Sequence, residues 1–446
     1  MYCMFVCSNC KSEFPKWSGK CSACGEWNTL EERQKPVVKK GKIQSGHARE
    51  TEKILPNAVA EVSRYTSSSV ELDGVLGGGL VAGSLVLLSG EPGIGKSTLS
   101  LQMSDWYSSA ETPVLYVSGE ESVLQISGRA RRLGVHGEYI DILSDSDFES
   151  IIATIENSSA KIIIIDSLSV LSASSLDGAP GSISQIRAMT EMCMQVAKKL
   201  GKAIVLIGHV TKDGSIGGPK ALEHLVDVVL FLEGLRTENY RILRAFKNRF
   251  GATDAVGLFR MDADGLKDLS NPGMEFIDEN NFSLSGSALT MTIEGNRPIL
   301  VEIEALTTYT KFGYPKRSSR GINTGKLDLL VAVMTKFADI KLDSSDVYIN
   351  VARGMNLNEP GVDLACVMAI LSSKNNISLG RTIFLGEVSL TGVIKNVFLC
   401  EKRLLEAAKL GFTNVFIPEN YDGKIPENLN ITRVKNISEI AKKFHR

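Results

Sequence analysis

The chain is expected to be an α/β protein whose central zone is a mostly parallel sheet with crossover helices. Three observations carry that expectation. Between residues 61 and 270, short β-branched runs alternate with helical patterns. The runs Ser84–Ser89, Pro113–Ser118, Tyr139–Leu143, Lys161–Asp166 and Ala203–Gly208 are apolar at nearly every position, as suits strands covered on both faces. The first of them leads directly into a glycine-rich segment and then a helical pattern.

At 446 residues the chain exceeds one compact core, so two or three domains are expected. A net charge of −1 gives no global attraction to nucleic acid, and any DNA-binding surface must be a local patch. No stretch approaches the length of a membrane-spanning helix, and Met1–Val6 is too short and cysteine-rich for a signal peptide. Five of the eight cysteines precede residue 25. Paired cysteines beside a nucleotide-binding zone point to a metal site in a reducing compartment, hence to the cytoplasm.

Four zones follow from composition: residues 1–30, rich in Cys, Lys and Trp; a polar, basic linker over 31–60; the α/β zone 61–270; and a second α/β zone over 271–446. Helical patterns are expected at Lys96–Ser109 and Ser182–Leu200. Val226–Leu232 and Tyr240–Phe246 are expected as antiparallel strands at one edge. The last zone should hold strands near Leu300–Ala305, Val347–Val351, Ile383–Leu385 and Val415–Ile417. Its helices are expected at Lys326–Phe337, Val362–Ser372 and Glu401–Leu410.

Gly90-Glu91-Pro92-Gly93-Ile94-Gly95-Lys96-Ser97 matches G-x-x-x-x-G-K-[ST], and Thr98 follows it into the helix. Glycines let backbone N–H groups turn inward onto phosphate oxygens, and the following helix adds its positive end. Lys96 would reach the β- and γ-phosphates of ATP, and the Ser97 hydroxyl would coordinate Mg²⁺. Ile162–Asp166 is an apolar strand ending in a carboxylate, which places Asp166 beside that metal. Ser118-Gly119-Glu120-Glu121 ends another strand; Glu120 is favoured over Glu121 as the base that orients water. His209 is either a γ-phosphate sensor or a structural histidine. Thr211–Pro219, between Lys212 and Lys220, is either a DNA-contacting loop or a flexible connection. Lys247-Asn248-Arg249-Phe250-Gly251 ends a strand; such cations are usually inert, but in a ring of P-loop subunits they can reach a neighbour's γ-phosphate.

Cys7-x2-Cys10 and Cys21-x2-Cys24 have zinc spacing, and four thiolates would close a structural Zn²⁺ site. Lys11, Lys16, Trp17 and Lys20 between the pairs would form a small basic, aromatic surface. Cys3 is left over.

With zinc knuckles, linker, P-loop and Lys247–Gly251 in this order, the chain resembles the RadA/Sms family of bacterial DNA repair proteins. Phe5-Val6-Cys7, Pro15-Lys16-Trp17, Trp27-Asn28-Thr29-Leu30 and Gly119-Glu120-Glu121-Ser122 add to that resemblance. It implies a RecA-like P-loop NTPase core with a small N-terminal zinc finger and a C-terminal Lon-protease-like (S5 domain 2-like) α/β domain. It also implies a DnaB-like hexameric ring that uses ATP to extend branches in homologous recombination. Single-stranded and branched DNA, and a RecA-type recombinase, would be the partners. Lys247 and Arg249 would then act at the subunit interface.

The Lon-like zone departs from the protease pattern. Glu359-Pro360-Gly361-Val362-Asp363-Leu364 stands where the nucleophilic serine would be and contains none. The lysine position falls on Glu401, one residue before Lys402. The zone is therefore expected to be proteolytically inactive, with Lys311–Arg320 and the aromatics Tyr309, Phe312 and Tyr314 either a DNA surface or a solvated loop. Two other functions compete with the motor: an ATP-gated DNA-binding regulator that does not translocate, and an ATP-dependent protease.

Overall fold

The computed structural model describes residues 4–9, 12–14, 16–33, 63–176, 178–208, 222–234, 239–269, 277, 279–311, 313–352 and 355–444. Two compact units result, Met1–Ala60 and Glu61–Arg446. Cys3, Cys10, Lys11, Pro15, His209, the Thr211–Pro219 loop with Lys212 and Lys220, Phe312 and most of the expected linker lie outside the described residues.

In the first unit, β1 (Met4–Cys7) pairs antiparallel with both β2 (Glu13–Phe14) and β3 (Leu30–Arg33). Cys7, Cys21 and Leu30 are buried together, with Phe5 and Phe14 packed against them. So few apolar side chains cannot hold a fold unaided. The last strand runs to Arg33, past the boundary expected at residue 30, because Met4 pairs with Arg33 at the far end of the ladder.

The second unit opens with a short ribbon, β4 (Arg64–Tyr65) and β5 (Leu80–Val81), flanking helix α1 (Val70–Leu76). The five parallel strands follow: β6 (Leu85–Gly90), β7 (Val114–Ser118), β8 (Ile140–Ser144), β9 (Ile162–Asp166) and β10 (Ala203–Ile207). Helices α2 (Lys96–Tyr107), α3 (Val123–Leu133), α4 (Phe148–Asn157) and α5 (Ile183–Leu200) provide the crossovers. Side-chain alternation splits each strand between two cores. Val86, Leu88, Ile162 and Ile164 face one, while Leu85, Leu87, Ile163 and Ile165 face the other. Polar N-caps start the helices where the sequence offers them, with Ser122 and Gln125 forming a reciprocal capping box on α3.

The edge differs from expectation. β11 (Val228–Glu233) pairs antiparallel with the following strand as expected, but it is an interior strand, lying parallel to β6 with Val228 opposite Val86 and Leu232 opposite Gly90. Its unbroken run Val228-Val229-Leu230 is buried, which suits an interior strand. Antiparallel pairing begins only with β12 (Tyr240–Asn248) and continues through β13 (Val256–Asp262) and β14 (Gly265–Asp268). The nine strands run in the order β14-β13-β12-β11-β6-β10-β9-β7-β8.

The C-terminal sheet holds β15 (Ser287–Glu294), β16 (Arg297–Tyr309), β17 (Arg317–Arg320), β18 (Ser345–Val351), β19 (Thr382–Phe384), β22 (Asn414–Pro418) and β23 (Asn430–Val434). A small ribbon of β20 (Glu387–Val388) and β21 (Ile394–Lys395) stands apart. The helix Asp363–Asn375 packs on β15 and β16 and is buried along almost its whole length. This core is continuous with the ATPase zone, because Val256, Leu258 and Leu269 belong to it. At the same junction Arg297 pairs with the buried Glu71, and Arg244 bridges Glu233 and Glu294.

Candidate active site and metal centre

Parallel β6 ends at Gly90 and α2 begins at Lys96, so the intervening loop lies at the carboxyl end of an interior strand, against a helix N-terminus. The first turn of α2 carries no acidic side chain that would compete with an anion. Gly95 caps the helix at φ 117°, a conformation that favours glycine. Lys96 is buried and folds across the loop, donating from Nζ to Gly90 O at 2.9 Å and Glu91 O at 3.0 Å. Burial lowers its pKa, and the neighbouring Asp166 partly offsets that. Ser97 and Thr98 are half-buried at the start of the helix.

Pairing of β7 with β9 sets Ser118 opposite Asp166, so both acidic strand ends emerge together. Asp166 accepts from the Tyr116 hydroxyl at 2.9 Å, and Ser100 Oγ lies 3.3 Å from the same hydroxyl. Burial and then the Asp166 charge push the Tyr116 phenol well above its ordinary range, so it remains a donor. The chain Ser100–Tyr116–Asp166 therefore fixes the carboxylate from below. Sequence reading missed Tyr116; its only signal was one hydroxyl in the middle of an apolar strand.

The two glutamates separate by their partners. Glu121 forms an ion pair with Arg129. Glu120 is exposed and accepts from Ser167 Oγ at 3.1 Å, with Ser169 Oγ 2.9 Å beyond. Lys247 and Arg249 lie elsewhere. Lys247 donates to Glu223 O and to Val226 O, the latter at 2.8 Å, while Arg249 pairs with buried Asp227 at 3.0 Å. Asn248 is opposite Val228 and Val228 opposite Val86, whereas Leu232 is opposite Gly90. The cations thus sit near the start of β6, about 13 Å along the strand from the phosphate loop at its end. The structure does not bring them to Lys96 of the same chain.

In the first unit, the sulfurs of Cys7, Cys21 and Cys24 all lie within 4.8 Å of one another, and Cys7 Sγ is 3.7 Å from Cys24 Sγ. Tetrahedral zinc with Zn–S near 2.3 Å requires S···S of about 3.8 Å. Cys7 Sγ donates to the Thr29 hydroxyl at 3.2 Å, and the Asn9 amide donates to Cys24 Sγ at 3.8 Å, as an outer-shell donor to a thiolate would. These three sulfurs fit Zn²⁺, and Cys10, which the spacing expects as the fourth ligand, lies outside the described residues. Replacing Cys24 with Ser should lower bound zinc below one equivalent by metal analysis and unfold the first unit, leaving the thermal transition of the second unchanged. By contrast, Cys193, Cys366 and Cys400 are buried, and burial pushes their thiols up to about 12, 12 and 11. They are inert packing groups.

At the stretch where a Lon-like nucleophile would stand, the space is occupied by charge. Arg403 is fully buried, pairs with Glu359, and donates to Phe398 O at 2.9 Å. A side chain at Gly361 would meet Arg403 Nη1 at 3.1 Å. Lys326 pairs with buried Asp363 and donates to Glu359 O at 2.7 Å. Glu401 and Lys402 both face outward. Neither Lys326 nor Arg403 was anticipated. In the basic segment, Tyr309 and Tyr314 are exposed, but Arg317 is committed to Ser345 O and Leu342 O. Among the described residues, no helix is long and apolar enough to cross a membrane.

Comparison with known proteins agrees with this layout. The rubredoxin metal binding domain family matches residues 5–32, the AAA domain family residues 48–215, and the family of subunit ChlI of Mg-chelatase residues 329–421. The protein named DNA repair protein RadA from Bacillus subtilis is 44% identical over 98% of this chain and 97% of its own. Its namesakes from Brucella abortus and Pseudomonas aeruginosa are 41% and 40% identical. They cover 96% and 98% of this chain and 93% and 97% of their own.

Proposed function

The chain belongs to the RadA family of DNA repair proteins, and from that premise we propose a DNA-dependent ATPase that drives branch migration and unwinding of recombination intermediates. One observation supports the motor most: the phosphate loop and the cations Lys247 and Arg249 lie at opposite ends of β6. A site so divided is completed when a second copy presents its cations to the loop, as in a ring of subunits. Six copies is the ring size proposed, with single-stranded and branched DNA as ligands. A RecA-type recombinase is the proposed partner, and the cytoplasm the proposed location.

Bound ATP·Mg²⁺ supplies the phosphoanhydride and the metal charge that make transfer to water feasible. Lys96 leaves the carbonyls of Gly90 and Glu91 for phosphate oxygens, and backbone N–H groups of the loop through Thr98 hold the phosphates. Ser97 and Asp166 hold the metal, the latter oriented by Tyr116. Glu120 takes the proton of the attacking water while Ser167 steadies its other oxygen. Arg249 of a neighbouring copy neutralises developing charge on the γ-phosphate, with Lys247 beside it.

The C-terminal domain is Lon-like, and at Gly361, in the stretch that lacks the serine, a side chain would lie 3.1 Å from Arg403 Nη1, which speaks against the protease reading. Substituting Arg249→Ala should leave ATP affinity within about threefold and abolish ATP-driven strand displacement on a forked duplex. Displacement at the wild-type rate would overturn the role given to this cation, and a wild-type protein that hydrolyses ATP without displacing any strand would favour the regulator.

A further inference from the structure

β12 carries a second arginine that faces the phosphate loop from behind. Arg241 is buried, pairs in register with Phe259 of β13, and donates from Nε to Ile94 O at 2.9 Å. Its Nη1 donates to Tyr240 O at 2.7 Å. Room for the side chain depends on Gly234, at φ 148°, where a Cβ would lie 3.1 Å from Arg241 Cδ and 2.5 Å from Tyr240 O. The flanking backbone is held by Ile94 N–H donating to Glu91 O at 3.3 Å and Leu99 N–H donating to Gly95 O at 2.9 Å, and Arg241 adds a donor to the Ile94 carbonyl itself, beside a glycine free to take either sign of φ.

We infer that Arg241 is a positioning residue for phosphate binding, holding the Ile94–Gly95 peptide so that its N–H faces the bound nucleotide. In a planar trans peptide the carbonyl and the following N–H point in opposite directions. A donor that fixes Ile94 O therefore aims Gly95 N–H the other way, toward the interior of the loop. The guanidinium stays charged even when buried, and its fork serves two carbonyls at once, which an ammonium does not reproduce in the same geometry. The N–H groups of such a loop cradle the phosphates nearest the base, which ADP and ATP share. Arg241 thus supports binding of both nucleotides and has no particular contact with the γ-phosphate.

This inference rests on the ATPase reading of the same loop. The test uses the full chain, with ADP affinity by calorimetry and ATP turnover at saturating and limiting concentrations. Arg241→Met should raise the ADP Kd and the KM for ATP alike, by about tenfold, while kcat falls no more than about threefold. Arg241→Lys, which keeps one donor, should fold and raise both by a smaller factor of about three. Unchanged ADP affinity in whichever variant folds would overturn the inference, as would a fall in kcat alone. Lowered thermal stability with normal ADP affinity would mark the arginine as merely structural. A Lys96→Ala control that still binds and turns over ATP would instead sink the reading of this loop as the ATP site, on which the inference rests.

Discussion

Glu120→Gln should lower ATP turnover at least about a hundredfold, whereas Glu121→Gln should change it by no more than about fivefold. The sequence offers two adjacent carboxylates at the same strand end, and the structure separates them by their partners. Glu121 is committed to Arg129 and sits at the entrance to α3. Glu120 is exposed, with one oxygen held by Ser167 and the remaining oxygen available to a water. Amide replacement keeps the size and the contact to Ser167 but removes the proton acceptor, so nucleotide affinity should stay near wild type. The reverse pattern, with Glu121→Gln inactive and Glu120→Gln active, would reassign the base.

Arg403→Met should destabilise the C-terminal domain by about 3–5 kcal/mol, because it leaves Glu359 without its buried partner. Arg403 has no exposed surface and links the helix Cys400–Lys409 to Glu359 and to Met291 O on β15. Its removal strips donors from groups held away from water. Replacing both partners, as Arg403→Met with Glu359→Met, should recover most of that loss, since a matched apolar pair has no charge to desolvate. The readout is the denaturant midpoint of the unit Glu61–Arg446, followed separately from that of the first unit because a chain of this size need not unfold in two states. Equal losses in the single and double variants would show that packing, rather than the unpaired carboxylate, controls stability here.

What could be read from sequence was what depends on neighbours along the chain. The phosphate loop, the cysteine pairs and four buried strands are local patterns, and Ile162–Asp166 declares both its burial and its polar end within five residues; Ile140–Ser144, expected to be covered on both faces, instead lies at the rim of the sheet with no buried residue. Features built from distant partners were not legible. Tyr116 reads as one more aromatic until β7 is set beside β9, and Arg241 and Arg403 read as surface cations until their strand and helix are packed. β11 was misplaced for a related reason. Whether an apolar run lies inside a sheet or at its rim depends on strands that follow it, and β13 and β14 were not foreseen. The Lon-like zone was legible as a departure, by the missing serine, but not in how Arg403 closes on Gly361 and Lys326 pairs with Asp363.

The most direct test of the central claim is ATP hydrolysis by the purified protein with and without single-stranded DNA, with Lys96→Ala alongside. A DNA-coupled motor predicts turnover that rises severalfold with DNA and disappears in the variant, whose lysine no longer reaches the phosphates. Turnover that is indifferent to DNA, with the Lys96→Ala control inactive, would contradict the motor and leave an ATP-gated binding protein in its place.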